Sequence, residues 1–375
     1  MKTPICDMLG IDLPLLAFSH CRDVVAAVTN AGGFGVLGAS SHTPEDLEHE
    51  LAWIDEQVDG KPYGADLVIP EKFEGKGQRL TAEELAARVP TGHHAFVDGL
   101  LKEHGLETGG RDRWPAMANV PADGIGEKLL DVALRHPIKL IANALGVPPR
   151  YMIDRAKEAG VPVAALVGAK EHAIKQVRAG VDVLIAQGTE AGGHCGEVTT
   201  MVLVPEVVEA IRPIREVPVL AAGGIVTGRQ MAAAVALGAA GVWTGSVWLT
   251  TEEADTAPYT VQKMLAASSR DTVRSKGRTG KSCRQLKSAW TDAWERPGNP
   301  EPLPMPLQSL VSERALRYVD MQAEKGNPGA RELATYFVGQ GVGLIDRVRS
   351  TRDVVYGMAE DFAEAAERLA DAMGE

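Results

Sequence analysis

The sequence lacks the features of a secreted, membrane-bound or nucleic-acid-binding protein. Only four cysteines occur in 375 residues, at scattered positions, which argues against a disulfide framework and a zinc site. No apolar run approaches the roughly 18 residues that a membrane span needs, and the N-terminal residues are too polar for a signal peptide. Lys and Arg number 39 against 50 Asp and Glu, without a basic run, so polyanions are not expected partners. We therefore expect a cytoplasmic protein that binds no metal and no nucleic acid.

A glycine-rich dinucleotide fingerprint is also missing. An open doubly wound sheet carries such a loop after its first strand, but residues 17–23 read AFSHCRD. Aromatic residues make up 5% of the chain, so Trp243 and Trp248 are predicted to belong to the core and the barrel mouth rather than to stacking platforms.

Short apolar strands alternate with amphipathic helices along most of the chain. Thr43 and Pro44 predict the start of one such helix, because threonine is a good cap and proline is tolerated in the first turn. Eight strands separated by helices favour an α/β fold of the closed (β/α)8 TIM barrel type over an open sheet. The predicted strands are 13–19, 34–40, 63–70, 138–145, 161–169, 181–188, 217–225 and 241–249.

The alternation is interrupted once and ends well before the chain does. Residues 71–136 contain one clear helix, at 81–89, and little strand signal, so we interpret them as a mostly helical insertion after strand 3. The predicted barrel then comprises 1–70 and 137–255, and residues 256–375 are expected to form a helical extension that packs on it.

The insertion carries His93, His94 and His104. His93 and His94 are consecutive and cannot share a helix face, which argues against a metal pair. The insertion is expected either to cover the barrel mouth as a lid or to be a peripheral excursion or oligomer contact.

Two glycine-bearing loops follow the seventh and eighth predicted strands, where barrels commonly bind phosphate. Gly223 and Gly224 lie in the first loop, and Gly245 and Ser246 lie in the second. Glycine leaves backbone N–H groups open to an anion, and a helix begins at about residue 227. Each glycine could simply end a strand, but the two loops together favour a phosphate site.

The stretch EAGGHCG, residues 190–196, follows the sixth strand and lies beside those loops. Its position directs His194 toward the barrel mouth, where an imidazole can act as base, acid or hydrogen-bond donor. Gly192 and Gly193 would let the backbone pass close to a flat ligand. Cys195 is interpreted as structural or incidental, because neighbours on an extended loop point in opposite directions.

Several of these segments resemble one known family. AQGTEAGGHCG, VPVLAAGGI and GVWTGSVWLTTEE, in this order, are similar to segments of the nitronate monooxygenases, formerly called 2-nitropropane dioxygenases, which are FMN-dependent TIM barrels. RDVVAAVTNAGGFGVLGA, RTGKSC and YFVGQGVGLID extend the resemblance over most of the chain outside the insertion.

The resemblance implies a set of site residues. His194 corresponds to the family histidine that acts as base or as hydrogen-bond partner of the substrate. Asp66 falls where the family has an asparagine on its third strand. The implied FMN contacts are Ala17, Phe18 and Ser19 from the first strand, Asp66, Gln187, Gly192 and Gly193, and around the phosphate Gly223, Gly224, Trp243, Thr244, Gly245 and Ser246.

The chain departs from the family pattern at three places. The strand-eight loop keeps its glycine and a hydroxyl but lacks the usual arginine. Phe18 stands where a methionine is usual. Asp66 puts a carboxylate in place of an amide, which would be costly near an anionic reduced flavin unless it is paired or protonated. Lys281 or Lys139 is a candidate for positive charge near the flavin.

The implied activity is FMN-dependent oxidation of alkyl nitronates, with nitroalkanes left open, by O2 to a carbonyl compound and nitrite. Two alternatives remain open. One is an NAD(P)H-dependent FMN reductase of the enoyl-thioester type from the same superfamily, and the other is a flavin-binding barrel without turnover. The oligomeric state is also left open, with a homodimer as one option.

Overall fold

The centre of the molecule is a closed barrel of eight parallel strands. The computed structural model describes residues 2–40, 42–69, 82–108 and 124–374. The barrel strands are β1 Leu15–Ser19, β2 Phe34–Gly38, β3 Gly64–Leu67, β4 Leu140–Asn143, β5 Val163–Val167, β6 Val183–Gln187, β8 Val219–Ala222 and β9 Gly241–Thr244. β9 pairs back onto β1 and closes the barrel, so the predicted (β/α)8 fold is confirmed. β7, Gly193–His194, lies outside the barrel.

Eight helices form the outer layer of the barrel. They are α2 Arg22–Asn30, α3 Pro44–Val58, α6 Ile125–Ala133, α7 Arg150–Glu158, α8 Lys170–Ala179, α9 Thr200–Ile211, α10 Gly228–Ala236 and α15 Thr351–Met373. Thr43 caps α3 in a reciprocal capping box with Asp46, as its sequence predicts. None of the helices in the described ranges is long and apolar enough to cross a membrane.

Side chains alternate between the inside and the outside of the barrel. On β1, Leu16 and Phe18 belong to the apolar cluster inside the barrel, whereas Leu15 and Ala17 pack outward against the helices. The short helix α1, Pro4–Leu9, contributes Ile5 to the inner cluster. The inner side of the barrel is therefore packed with side chains, and a ligand must bind at one of its ends.

The remaining helices form a second apolar cluster, which we call the cap. They are α4 Ala82–Ala86, α5 Thr91–Glu103, α11 Pro258–Leu265, α12 Ala289–Glu295, α13 Leu307–Glu324 and α14 Pro328–Leu333. Val97 and Leu101 of α5 pack in one cluster with Trp290 and Trp294 of α12. Residues 82–108 of the predicted insertion therefore share a core with the C-terminal region. Residues 70–81 and 109–123 lie outside the described part.

The ring of barrel helices includes two that the sequence placed elsewhere. α6, assigned to the insertion, packs on α3 and β3 and buries Leu130 among the barrel residues. α15, assigned to the C-terminal extension, packs between α10 and α2 and occupies the place of the eighth barrel helix. About a hundred residues, from Gly245 to Ser350, separate β9 from α15, so the sequence did not indicate that α15 is the helix that follows β9 in the barrel.

The C-terminal region also contains strands, although it was predicted to be helical. β10, Thr272–Ser275, pairs with β11, Cys283–Leu286, and β11 pairs with the two-residue β7. β10 and β11 are four residues long, and the third strand of their sheet, β7, comes from a distant loop, so no local sequence pattern predicts them.

α10 and α15 pack so closely that one position cannot carry a side chain. A Cβ at Gly228 would lie 1.9 Å from the Met358 carbonyl oxygen and 2.5 Å from the Phe362 nitrogen. Gly228→Ala is expected to lower the free energy of unfolding by about 3 kcal/mol, because two helix backbones must separate. Thermal unfolding of the purified variant measures this loss.

Gly99→Ala is the matched control, because Gly99 lies inside α5 and a Cβ there meets nothing within 4 Å. That variant is expected to gain up to about 1 kcal/mol from helix propensity alone. Equal unfolding midpoints for the two variants would contradict the assignment of α15 to the barrel.

Candidate active site

The EAGGHCG loop connects β6 to α9, and its glutamate anchors it. The Glu190 carboxylate accepts hydrogen bonds from the Thr200 backbone N–H, at 2.9 Å, and from the Thr200 hydroxyl, at 3.0 Å. Glu190 thus caps the first turn of α9, which begins at Thr200. The carboxylate of the motif is structural, and it leaves the rest of the loop to form the site.

Gly192 is required by close approach of another backbone segment. A Cβ there would lie 2.8 Å from the Gly339 nitrogen and 2.8 Å from the Val338 carbonyl carbon. Gly193 has a φ of +72°, a conformation that favours glycine. The two glycines therefore serve the packing and the turn that bring the chain to His194.

His194 is held by β7 and by one side-chain hydrogen bond. Its backbone pairs with Cys283 of β11, and its Nε2 lies 2.8 Å from the Thr279 hydroxyl oxygen. The Thr279 hydroxyl donates to the Lys281 carbonyl oxygen at 3.0 Å. With its single hydrogen so directed, Thr279 accepts from Nε2–H, and the Nδ1 of His194 keeps its lone pair.

His194 is neutral at physiological pH. Burial lowers its pKa to about 4, and the positive charges of Lys281 and Arg278 act in the same direction against an opposing effect of Glu313. The side chain still keeps partial solvent exposure. It can therefore accept a hydrogen bond or a proton throughout the neutral range.

A buried ion pair supports the segment that carries Thr279. Arg278 contacts Glu313 of α13 through Nε–Oε1 at 2.9 Å and Nη2–Oε2 at 3.2 Å, a bidentate arrangement. The guanidinium carbon also lies 4.2 Å from the centre of the Phe337 ring. The pair links the partner of His194 to the cap.

The loop after β8 has the features of an anion site. Gly223 and Gly224 have φ values of +107° and +73°; the Gly223 carbonyl oxygen lies 3.0 Å from the Thr200 hydroxyl oxygen, and the Gly224 carbonyl oxygen accepts from the Gln230 side chain at 2.7 Å. Within the described ranges, the N–H groups of these two glycines donate to no backbone carbonyl. They lie just before α10, whose N-terminus favours negative charge.

The loop after β9 lies beside the same region. Ser246 accepts a hydrogen bond from the Gly339 N–H at 2.8 Å, and a Cβ at Gly245 would meet nothing within 4 Å. The Thr244 hydroxyl donates to the Leu16 carbonyl oxygen at 3.0 Å and accepts from Trp248 Nε1 at 3.0 Å. The Thr244 side chain is therefore used in the outer packing, so any contact it makes with a ligand is through its backbone.

Residues 338–341 join the three loops, although the sequence assigned them no role. Gln340 N–H donates to the Glu190 carbonyl oxygen at 2.8 Å. A Cβ at Gly339 would lie 2.6 Å from that same oxygen, and one at Gly341 would lie 3.0 Å from the Gly224 carbonyl oxygen. The two glycines of the GQG stretch were the one sequence feature that could have indicated this role, because each permits a close backbone contact.

The other residues predicted to contact FMN lie on the barrel strands. Phe18 lies with its ring centre 6.1 Å from that of Trp243, both on the inner face. Gln187 is the last residue of β6, and Asp66 is buried on β3. Ala17 faces the helices, and the Ser19 hydroxyl accepts from the Cys21 N–H at 3.1 Å. The barrel brings all the predicted segments to one rim, but not every side chain faces it.

Several other candidates do not join this group. Lys139 precedes β4 and so lies at the opposite end of the barrel, whereas Lys281 is close enough to His194 to lower its pKa. Cys195 is a thiol whose pKa is raised by burial, which disfavours the reactive thiolate. In the described ranges, no three His, Cys, Asp or Glu residues are placed to hold a metal ion. A surface groove lined by Pro44, Lys128 and Arg135 lies between α3 and α6 in the outer layer.

A closed barrel whose carboxyl-terminal loops bring together a buried histidine and open backbone N–H groups defines a barrel enzyme. The family model for nitronate monooxygenase matches residues 17–361. A protein of Mycobacterium tuberculosis named as a monooxygenase is 55% identical over 375 residues, covering 98% of each chain. A Staphylococcus haemolyticus protein named as a nitronate monooxygenase is 28% identical over 322 residues, covering 82% of this chain and 84% of its own.

Solved structures show the same fold. FabK from Thermotoga maritima has a TM-score of 0.71 and 26% identity, over 99% of both chains. Nitroalkane oxidase from Streptomyces ansochromogenes has a TM-score of 0.79 and 24% identity, over 97% of this chain and 99% of its own. The chain belongs to the nitronate monooxygenase family and is an oxidoreductase.

Proposed function

We propose that the barrel mouth binds FMN. The proposal is supported by the open N–H groups of Gly223 and Gly224, which are suited to a phosphate. Gln187, at the end of β6 and on the inner face of the barrel, precedes the loop that carries His194, and a flat ring would bind between them. Phe18 and Trp243 supply an apolar floor. FMN would be held by those residues of the implied set that face the barrel mouth, whereas the side chains of Ala17 and Thr244 face outward.

We propose that the reaction is the oxidation of alkyl nitronates by O2 to carbonyl compounds and nitrite. Bound FMN would supply the electron transfer between the nitronate and oxygen. The exposed ammonium group of Lys281 lies near His194 and favours an anionic substrate there. The neutral imidazole orients the substrate through Nδ1 and accepts its proton when the substrate arrives as a nitroalkane.

The low basicity of His194 favours nitronates over nitroalkanes as substrates. A base is most effective when its pKa lies near the working pH, and that of His194 is depressed to about 4. Removal of a proton from a neutral nitroalkane is therefore expected to be slow. We propose the preformed nitronate anion as the preferred substrate.

The fold is shared with a protein named as FabK, which keeps the reductase alternative open. In that alternative, NAD(P)H would deliver the electrons and an enoyl thioester would receive them. A barrel that binds flavin without turnover is the third option. The likeness to FabK shows the shared fold, and the identity of the electron donor has to be measured.

An anaerobic titration distinguishes the three proposals. The purified protein, supplied with FMN, is mixed with ethyl nitronate and separately with NADH and NADPH, and the flavin absorbance is recorded. We expect bleaching by the nitronate, slow bleaching by the nitroalkane and none by the nicotinamides, followed by nitrite release on admission of O2. Bleaching by NADH or NADPH alone would support the reductase, and no bleaching by any of them would support the third option.

We propose that the cap limits the size of the substrate. The cap reaches the site through Arg278 and Glu313, whose contact joins the His194 partner segment to α13. Deleting 71–136 would also remove α6 and the α5 part of the cap core, so point changes in the cap are the better test.

The four cysteines are all unpaired, which fits the reducing cytoplasm proposed as the location.

A further inference from the structure

Asp66 is the one acidic residue on the inner face of the described barrel strands. In the strand register it lies opposite Gly38 of β2 and Ala142 of β4. Its side chain is 3% exposed, and its backbone carbonyl oxygen accepts from the Ala39 N–H at 2.8 Å. Its neighbour Gly38 on the same face leaves room for the rings of Phe18 and His20, each of which comes within 2.7 Å of the position of a Cβ there, and its other neighbour is the small Ala142.

Among the described residues, one oxygen of this carboxyl group has no hydrogen-bond partner that would stabilise a negative charge. Asp66 Oδ1 is buried and makes no hydrogen bond. Burial raises the pKa of Asp66 to about 8, with no nearby cation among the described residues to oppose it. A buried oxygen without a partner is rare in folded proteins and points to a ligand that completes the site.

A neutral carboxyl group has the hydrogen-bonding capacity of a side-chain amide. It offers one O–H donor and a carbonyl acceptor, whereas a carboxylate can only accept. Its position at the inner, carboxyl-terminal part of β3 places it at the rim where the flavin is proposed to bind. The family asparagine and Asp66 can therefore make the same kind of contact, provided that Asp66 keeps its proton.

We propose that Asp66 binds FMN as a neutral carboxylic acid that donates a hydrogen bond to the isoalloxazine ring. The proposal rests on the proposed FMN site. Its consequence is a pH-controlled affinity: ionisation of Asp66 removes the donor and places a negative charge beside the ring, so the cofactor is released as the pH rises.

The residues of β2 and β4 opposite Asp66 are uncharged, and α6 packs on the outer face of β3. His20 and His42 follow the neighbouring strands β1 and β2. Burial lowers the pKa of His20, whose Nδ1 lies 2.7 Å from the Gly38 carbonyl oxygen, so it remains neutral above pH 7.

The test is the dissociation constant of FMN between pH 6.5 and 9.5, measured by flavin fluorescence for the full chain and for Asp66→Asn. We expect the affinity of the unmodified protein to fall by about tenfold for each pH unit above about 8, because binding then requires uptake of a proton. The asparagine variant keeps a donor at all pH values and should show a flat profile apart from the titrations of FMN itself, which both proteins share.

The outcomes separate the two proposals. If neither protein binds FMN at any pH, the FMN site itself is wrong. If the unmodified protein binds FMN with an affinity that does not fall up to pH 9.5, the role of Asp66 is overturned while the FMN site stands, and this result needs no variant. A decline of equal size in Asp66→Asn also overturns it, since the decline then has another source.

Discussion

Replacing His194 by asparagine is expected to lower kcat/KM for a nitroalkane by about 10²-fold, the low end of the usual contribution of a positioned base, because the depressed pKa of His194 makes it a weak one. Asparagine has no group that can accept the proton. Its amide is too short to reach the Thr279 hydroxyl, which lies 2.8 Å from Nε2, but the backbone pairing of residue 194 with Cys283 does not depend on the side chain, so the loop should remain in place and FMN should stay bound. Steady-state oxygen consumption with nitroethane gives the rates, and the flavin spectrum reports the cofactor.

The preformed nitronate is the internal control for this experiment. It needs no proton removal, so the loss in His194→Asn should be much smaller with ethyl nitronate than with nitroethane. Equal losses with both substrates would mean that His194 positions the substrate and is not a base, and unchanged turnover of both would exclude it from the reaction.

Thr279→Val tests the tautomer of His194. Valine has nearly the same shape but cannot accept a hydrogen bond from Nε2–H. The hydrogen is then no longer fixed on Nε2, and the tautomer with the hydrogen on Nδ1, which cannot accept a proton there, becomes populated. Thr279→Ser keeps the hydroxyl group and should restore the activity. A merely structural role of Thr279 would affect the serine variant, which loses the methyl group, as well as the valine variant.

Arg278→Met is expected to lower the free energy of unfolding by about 3–5 kcal/mol, the cost of leaving one member of a buried ion pair without its partner. The side chains of Arg278 and Glu313 are only 12% and 18% exposed, so water cannot replace the lost contact. Methionine fills much of the space of the arginine stem, which limits the cavity. Urea denaturation followed by fluorescence measures the loss.

The double variant Arg278→Met with Glu313→Leu removes both charges and is the control. It should recover most of the loss, because an apolar pair of similar volume is often as stable as a buried ion pair. If the double variant is as unstable as the sum of its single changes, the loss arises from packing around Phe337 rather than from the unpaired carboxylate.

The barrel was readable from the sequence because each of its strands and most of its helices carry their own signal. β1, for example, is a short apolar run before an amphipathic helix, and Thr43, Pro44 and Asp46 mark the start of α3 locally. α15 carries an equally clear helical pattern. Its place in the ring was missed because that place depends on the contact of Gly228 with Met358 and Phe362, far along the chain.

The candidate site divides in the same way. Gly223, Gly224 and His194 could be predicted because glycine pairs and a histidine after barrel strands have local signatures. Thr279 and the Arg278–Glu313 pair could not, because they reach His194 through β11, a four-residue strand whose partner is a distant loop. Glu190 was part of the recognised motif, but its use as a cap for α9 depends on where Thr200 lies.

By itself, the sequence determined which residue types stand at the ends of the barrel strands, because hydrophobic periodicity, turn glycines and helix caps act over a few residues. Only the tertiary structure decided the protonation of the site. The depressed pKa of His194 and the raised pKa of Asp66 both arise from burial and from charges that distant segments bring close or keep away. Desolvation depends on everything that surrounds a group in space, and no local pattern of residues encodes it.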